Sequence, residues 1–275
     1  MPSATPQLQA PPGACDTHMH FYHHGYPPAA GALLTPADAW LDDYRALQAR
    51  LGLQRVVIVQ PTTYGRDNAC QLAALAAFGD SARAVLVVDD RIDEAQLERF
   101  TALGARGARF HMLPGGAVPW ELLEPVAARI APFGWHVQLQ LNGRELPEQL
   151  ARLQRLPCPL VIDHVGRFTP PVAPEHAAFR ALRELLDGGR CWVKLSAPYV
   201  SAPCAPPAYA EVSALARELV AAAPERMLWA SNWPHPGEAG PPDEALLLDL
   251  LLAWADDGAT RQRILVDNPA ALYGF

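Results

Sequence analysis

Eight short apolar runs recur along this chain, each followed by a longer stretch rich in Ala, Leu, Glu and Arg. The runs cover residues 14–18, 55–60, 84–88, 107–110, 135–141, 160–164, 191–196 and 227–231. Most are hydrophobic nearly throughout rather than at every second position. That is the habit of parallel strands buried on both faces. The stretches between them (36–51, 68–78, 93–103, 120–133, 145–156, 176–186, 209–223 and 243–255) repeat their apolar residues at helical spacing. Several open on helix-start signals, such as Thr35-Pro36-Ala37-Asp38 and Pro241-Pro242-Asp243. Eight strands alternating with eight helices predict a single (β/α)8 TIM-type barrel over residues 14–275, after a flexible tail over 1–13. A doubly wound open sheet is the alternative, but no Gly-rich phosphate turn follows any strand. At 275 residues the chain suits one barrel and can bury a core without disulfides or structural metal.

The charge pattern narrows the partners. Net charge is −7 with no Lys/Arg-rich run, which gives no footprint for nucleic acid or an anionic membrane surface. The most Leu-rich run, 246–254, contains Asp249 and is too short to span a bilayer. Residues 1–14 have neither a basic start nor an apolar centre, so no signal peptide is expected. Cys15, Cys70, Cys158, Cys191 and Cys204 are odd in number and lack CxxC spacing, as expected of reduced thiols in a cytoplasmic protein. The Pro-rich stretch 202–208 is expected as a loop at the barrel mouth.

Chemistry in a barrel gathers where the strands end. His18 and His20 lie two apart at the first strand end, so both project to one side. The second end supplies Gln60 and then Tyr64; the fourth supplies Arg109 and His111. Gln138 and Gln140 follow on the fifth, Asp163, His164 and Arg167 on the sixth, Lys194 and Ser196 on the seventh, and Asn232 and His235 on the eighth. Each has a structural reading: Asp163 as a cap, Lys194 as a carboxylate's partner, Gln60 as a support for loop backbone. Polar groups at nearly every strand end are harder to assign to packing, because each buried one needs a partner. Arg109 and Arg167 suit capture of a carboxylate. His136 lies early in its strand and is expected in the core, with His23, His24 and His176 solvated.

The HxH strand, Asp163-His164-Val165-Gly166-Arg167 and Asn232-Trp233-Pro234-His235, in this order and spacing, resemble the amidohydrolase superfamily. The nearer likeness is to its lactone-processing branch of D-galactarolactone isomerase and 2-pyrone-4,6-dicarboxylate lactonase. The lactonase pattern places an Asp, its base for water, where this chain has Asn232. The Leu113–Val118 segment and Asn232-Trp233-Pro234-His235 are similar to the isomerase, whose pattern carries Gln at the first HxH position, here His18. The resemblance implies metal-independent chemistry on a small carboxylated lactone, most simply acyl migration between hydroxyls of a sugar-acid lactone. His18 and His20 would polarise the carbonyl, His164 would move the proton, and Arg109 and Arg167 would hold the carboxylate. Asn232, Gln140 and Tyr64 would bond the polyol, with Lys194 and His235 in the wall. If a metal is present, His18, His20 and His164 are the zinc ligands the superfamily implies. Lactone hydrolysis is the alternative reaction, and an inactive ligand-binding barrel the alternative class.

Overall fold

The structure is a computed structural model describing residues 4–201 and 206–275. Its eight strands are β1 (Cys15–Met19), β2 (Arg55–Val59), β3 (Ala82–Leu86), β4 (Ala105–His111), β5 (His136–Gln140), β6 (Leu160–Ile162), β7 (Cys191–Leu195) and β8 (Met227–Trp229). All neighbours pair in parallel, in chain order from β1 to β8. The ring closes through the β8 end, where Asn232 N donates to His18 O (2.9 Å) and His20 N donates to Trp233 O (2.8 Å). Between strands run α1 (Leu41–Leu51), α2 (Ala69–Phe78), α3 (Glu94–Leu103), α4 (Leu123–Ile130), α5 (Leu146–Gln154), α6 (Ala177–Asp187), α7 (Ala210–Ala222) and α8 (Glu244–Trp254). No described helix is long and apolar enough to cross a membrane.

The double burial of each strand is visible in how neighbours divide. Val56 and Ile58 join the large outer core against the helices, while Val57 and Val59 join a separate inner cluster with Cys15, Val85, Val161, Trp192 and Leu228. That alternation explains why the strands read as unbroken apolar runs. The same parity turns Gly107, Arg109 and His111 of β4 inward beside His136, Gln138 and Gln140 of β5, with which they are in register. The lowest layer needs Gly107: a Cβ there would lie 2.5 Å from the His136 ring. His136 is buried as expected, with its ring centroid 5.3 Å from that of Tyr273.

Tyr273 belongs to a C-terminal α9 (Gly258–Gln262), π-turn (Arg263–Asp267) and α10 (Asn268–Tyr273), which the periodicity did not reveal. These pieces are too short to show a repeat, and Tyr273 joins the inner cluster. The Thr35-Pro36-Ala37-Asp38 signal does not start α1, which begins at Leu41. Asp38 instead takes the backbone N–H of His24 (2.7 Å), and Asp43 accepts from Trp40 N (2.9 Å) at the real start. Asp243 does cap α8, accepting from Ala245 N (2.9 Å). The N-terminal segment from Ala4 runs against α8: Ala4 N donates to Asp243 Oδ2 (2.7 Å) and Leu8 N to Asp249 Oδ1 (2.8 Å). Of the Pro-rich loop, residues 202–205, with Cys204, lie outside the described residues. Cys15, Cys70, Cys158 and Cys191 are free and buried.

Candidate active site

A cavity of about 380 Å³ opens at the carboxyl ends of the strands. Six residues expected from the sequence line it: His20, Arg109, Gln140, His164, Arg167 and Asn232. Tyr22 and His111 line it as well. His111 shares the inward parity of Arg109, a signal the sequence already carried. Tyr22 lies past the end of β1 but continues the alternation of His18 and His20, a signal the sequence also carried. The other four expected residues are placed elsewhere. His18 and Lys194 are fully buried a layer below, while Tyr64 and His235 sit behind the wall. Tyr64 OH accepts from His23 N (3.0 Å), and burial pushes its phenol up to about 12. Gln60 supports loop backbone, donating to Gly65 O (3.2 Å) and Asp67 O (2.8 Å).

The buried layer fixes the state of the histidines. Burial and the nearby Arg109 charge push His20 down to about 3, so its ring is neutral. Its Nδ1 is 2.8 Å from Val59 O, a pure acceptor, and therefore carries the hydrogen. His20 Nε2 is then bare and lies 3.2 Å from His18 Nε2. Burial and Lys194 hold His18 well below its usual range, so its ring is neutral as well. Its Nδ1 faces Lys194 Nζ (3.4 Å), Gln138 Nε2 (3.3 Å) and Asp163 Oδ1 (3.3 Å). Lys194 also donates to Thr17 O (2.8 Å) and Gln138 Oε1 (2.6 Å), and lies 3.7 Å from Asp163 Oδ1. Burial lowers its ammonium to about 8. Asp16, which the sequence did not single out, ties β1 to β8 by accepting from Ser231 N (3.0 Å) and His18 N (3.1 Å).

In the cavity wall, Gln140 Oε1 receives two donors, Arg109 Nη2 (2.9 Å) and His111 Nδ1 (3.1 Å). Its Nε2 is the end left for the cavity. Arg109 Nη1 donates to Gln60 O (2.5 Å), while Arg109 Nε and Arg167 Nε are buried without a partner among the described residues. Unpartnered buried guanidinium donors suit an incoming carboxylate. Ser196 Oγ lies 2.9 Å from His164 Nδ1, which leaves Nε2 of that ring for proton exchange. Burial holds His164 well below its ordinary range, and His111 is pushed down to about 3 by burial and Arg109. His164, Arg167 and Asn232 all have left-handed backbone (φ 55°, 47° and 61°). Strained non-glycine backbone of this kind persists where the surroundings over-determine it, commonly around a site.

His18, Asp163 and His164 bring ligand-type atoms within 4.8 Å of one another. Asp163 and His20 meet opposite nitrogens of the His18 ring, 3.3 and 3.2 Å away, so an ion bound by His18 lies on the Asp163 side or on the His20 side but not both. The carboxylate in the group already faces the Lys194 ammonium, and Arg109 adds a second buried cation. At the β8 end stands a neutral amide, Asn232. With two buried cations beside it, the Asp163 carboxylate leaves little negative charge to compensate a divalent cation.

Residues 15–275 match the family model described as amidohydrolase. The chain is 40% identical to the D-galactarolactone isomerase of Agrobacterium fabrum strain C58, over 98% of this chain and 93% of that protein. It is 35% identical to the 2-pyrone-4,6-dicarboxylate hydrolase of Comamonas testosteroni, over 98% and 92% respectively. An apo crystal structure from Agrobacterium tumefaciens superposes with a TM-score of 0.93 at 40% identity, covering 98% of both chains.

Proposed function

The chain belongs to the amidohydrolase family, and we propose that it isomerises a carboxylated sugar-acid lactone by moving the acyl group between two substrate hydroxyls, without a metal. The observation carrying this reading is Asn232. The wall position at the β8 end holds an amide whose Nδ2 donates to Tyr199 OH (2.8 Å), and an amide takes no proton near neutral pH. Acyl migration needs a base for the attacking hydroxyl, donors for the oxyanion and an acid for the leaving alkoxide, but no activated water.

Arg167, with the unpartnered Arg109 Nε, would hold the substrate carboxylate. That bound negative charge raises the low basicity of the neighbouring imidazoles. His164 Nε2 would take the hydroxyl proton and return it to the leaving oxygen. The neutral His20 spends its one N–H on Val59 O, so the donor we assign to the oxyanion is Gln140 Nε2. His18 and Lys194 act beneath the cavity by packing and bonding the layer on which His20 rests. Tyr64 and His235 support the wall from behind, rather than touching substrate.

Hydrolysis is the second reading, favoured by the likeness to the Comamonas hydrolase. An NMR time course on a panel of aldaric-acid lactones and 2-pyrone-4,6-dicarboxylate separates the two. Interconversion of lactone ring sizes without ring opening is the expected result. Ring opening as the sole reaction overturns the isomerase reading.

A further inference from the structure

From Asn232 a chain of hydrogen bonds runs outward through the wall of the barrel. Asn232 Nδ2 lies 2.8 Å from Tyr199 OH, which lies 2.8 Å from His235 Nδ1. His235 Nε2 lies 3.3 Å from Glu244 Oε1. Arg50 holds the other oxygen of that carboxylate, Oε2, and is itself 2.8 Å from Asp243. Tyr199 and His235 are buried, and Glu244 is half-buried at the first turn of α8.

The direction of every proton in this chain follows from its outer end. The Glu244 carboxylate only accepts, so His235 must present Nε2–H to it. In the Nε2–H tautomer so fixed, Nδ1 is bare and the Tyr199 hydroxyl donates to it. Burial pushes the Tyr199 phenol well up, so the hydroxyl keeps its proton. With its hydrogen turned to His235, Tyr199 oxygen can only accept from Asn232, and the amide must present its NH₂ to the wall. Asn232 Oδ1, which takes no hydrogen bond among the described residues, is left for the cavity.

Resting on the reading of the site as one for a hydroxylated lactone, we infer that Tyr199, His235 and Glu244 are positioning residues that lock the Asn232 amide with Oδ1 toward the substrate, making this wall an acceptor specific for a substrate hydroxyl. The opposite wall is locked the other way. Gln140 Oε1 is filled by Arg109 and His111, so that amide offers hydrogens. Two amides of the same chemistry therefore present opposite ends to the cavity, Gln140 fixed from within the cavity wall and Asn232 by residues behind it. A substrate lacking a hydroxyl at the Asn232 wall leaves Oδ1 desolvated and unpaired, and is disfavoured for that reason.

Imidazole ¹⁵N NMR of the full-length protein tests the lock without any substrate. His235, assigned by its loss in His235→Gln, is expected as the Nε2–H tautomer. In Glu244→Gln that preference is expected to weaken, because a neutral amide can accept or donate. The second measurement is the kcat/KM ratio between a hydroxylated lactone and its deoxy analogue. Tyr199→Phe and Glu244→Gln should each reduce that preference about 3- to 10-fold, the range of one neutral hydrogen bond. His235 as the Nδ1–H tautomer in the wild-type protein overturns the inference. So does an unchanged hydroxyl preference in both variants. If no lactone is turned over, the isomerase reading fails on its own, and the tautomer still decides whether the amide is locked.

Discussion

Replacing Asn232 by Asp changes one hydrogen-bonding group and adds one charge at nearly constant shape. The carboxylate can only accept, so the Tyr199 hydroxyl turns to it and leaves His235 Nδ1 without its donor. A buried acceptor left unpaired costs about 1–3 kcal/mol of stability. Substrate binding changes by a separate route. A cavity of about 380 Å³, taken as a sphere, is roughly 9 Å across. Two unit charges at that distance, with an effective dielectric of about 20, repel by about 2 kcal/mol. A carboxylated lactone should therefore bind roughly 30-fold more weakly to Asn232→Asp, with the loss mainly in KM. Urea unfolding reads the first effect. Product-resolved NMR kinetics on a galactarate lactone and on 2-pyrone-4,6-dicarboxylate reads the second. The expected outcome is isomerisation at reduced kcat/KM with ring opening a minor product. A large gain in hydrolysis of the pyrone would show that the wild-type site is a lactonase lacking its base, and would refute the isomerase assignment.

Arg167→Met should raise KM roughly 10- to 100-fold with little change in kcat, the effect of losing a charge-assisted contact made equally in ground and transition states; an unchanged KM would place the carboxylate elsewhere. Protein dialysed against a strong chelator should retain its activity, and loss on chelation with recovery on adding zinc would reverse the metal-independent reading. Acid should destabilise the fold steeply. His18, His20, His111, His136 and His164 are all held below their ordinary range by burial first, with His20, His111 and His136 at about 3. These rings are neutral in the fold, so their contribution is complete above about pH 6.5, where the unfolded chain is neutral too, and drains away as pH falls toward about 3. Each should cost about 2 kcal/mol between pH 7 and 5, seen as a falling urea midpoint. A flat midpoint over that range would mean the rings titrate normally.

The barrel was legible in the order of residues because burial on both faces writes itself into sequence. Val56 to Val59 pack alternately outward and inward, and both faces are buried there. Every strand and every intervening helix was recoverable from that pattern to within a few residues, apart from the false start at Pro36, where no periodic signal distinguishes a loop bound by Asp38 from a first helical turn. The site was legible in part for the same reason. Strand parity carries Arg109, Gln140 and their neighbours inward, and position at the strand end brings them to the cavity.

Depth within the barrel was not legible. His18 and His20 are two residues apart, the first on β1 and the second just past its end, yet only His20 reaches the cavity, and Lys194, equally a strand-end residue, lies beneath both. Nor does residue order show that Tyr199, His235 and Glu244 form one line behind Asn232, since they come from the ends of β7 and β8 and the start of α8. Sequence by itself determined which residues face inward, because a strand's period of two is local and covalent. Which of them touch a substrate, and which way each amide and imidazole is turned, only the tertiary structure decided, because hydrogen-bond direction depends on partners brought together from distant strands.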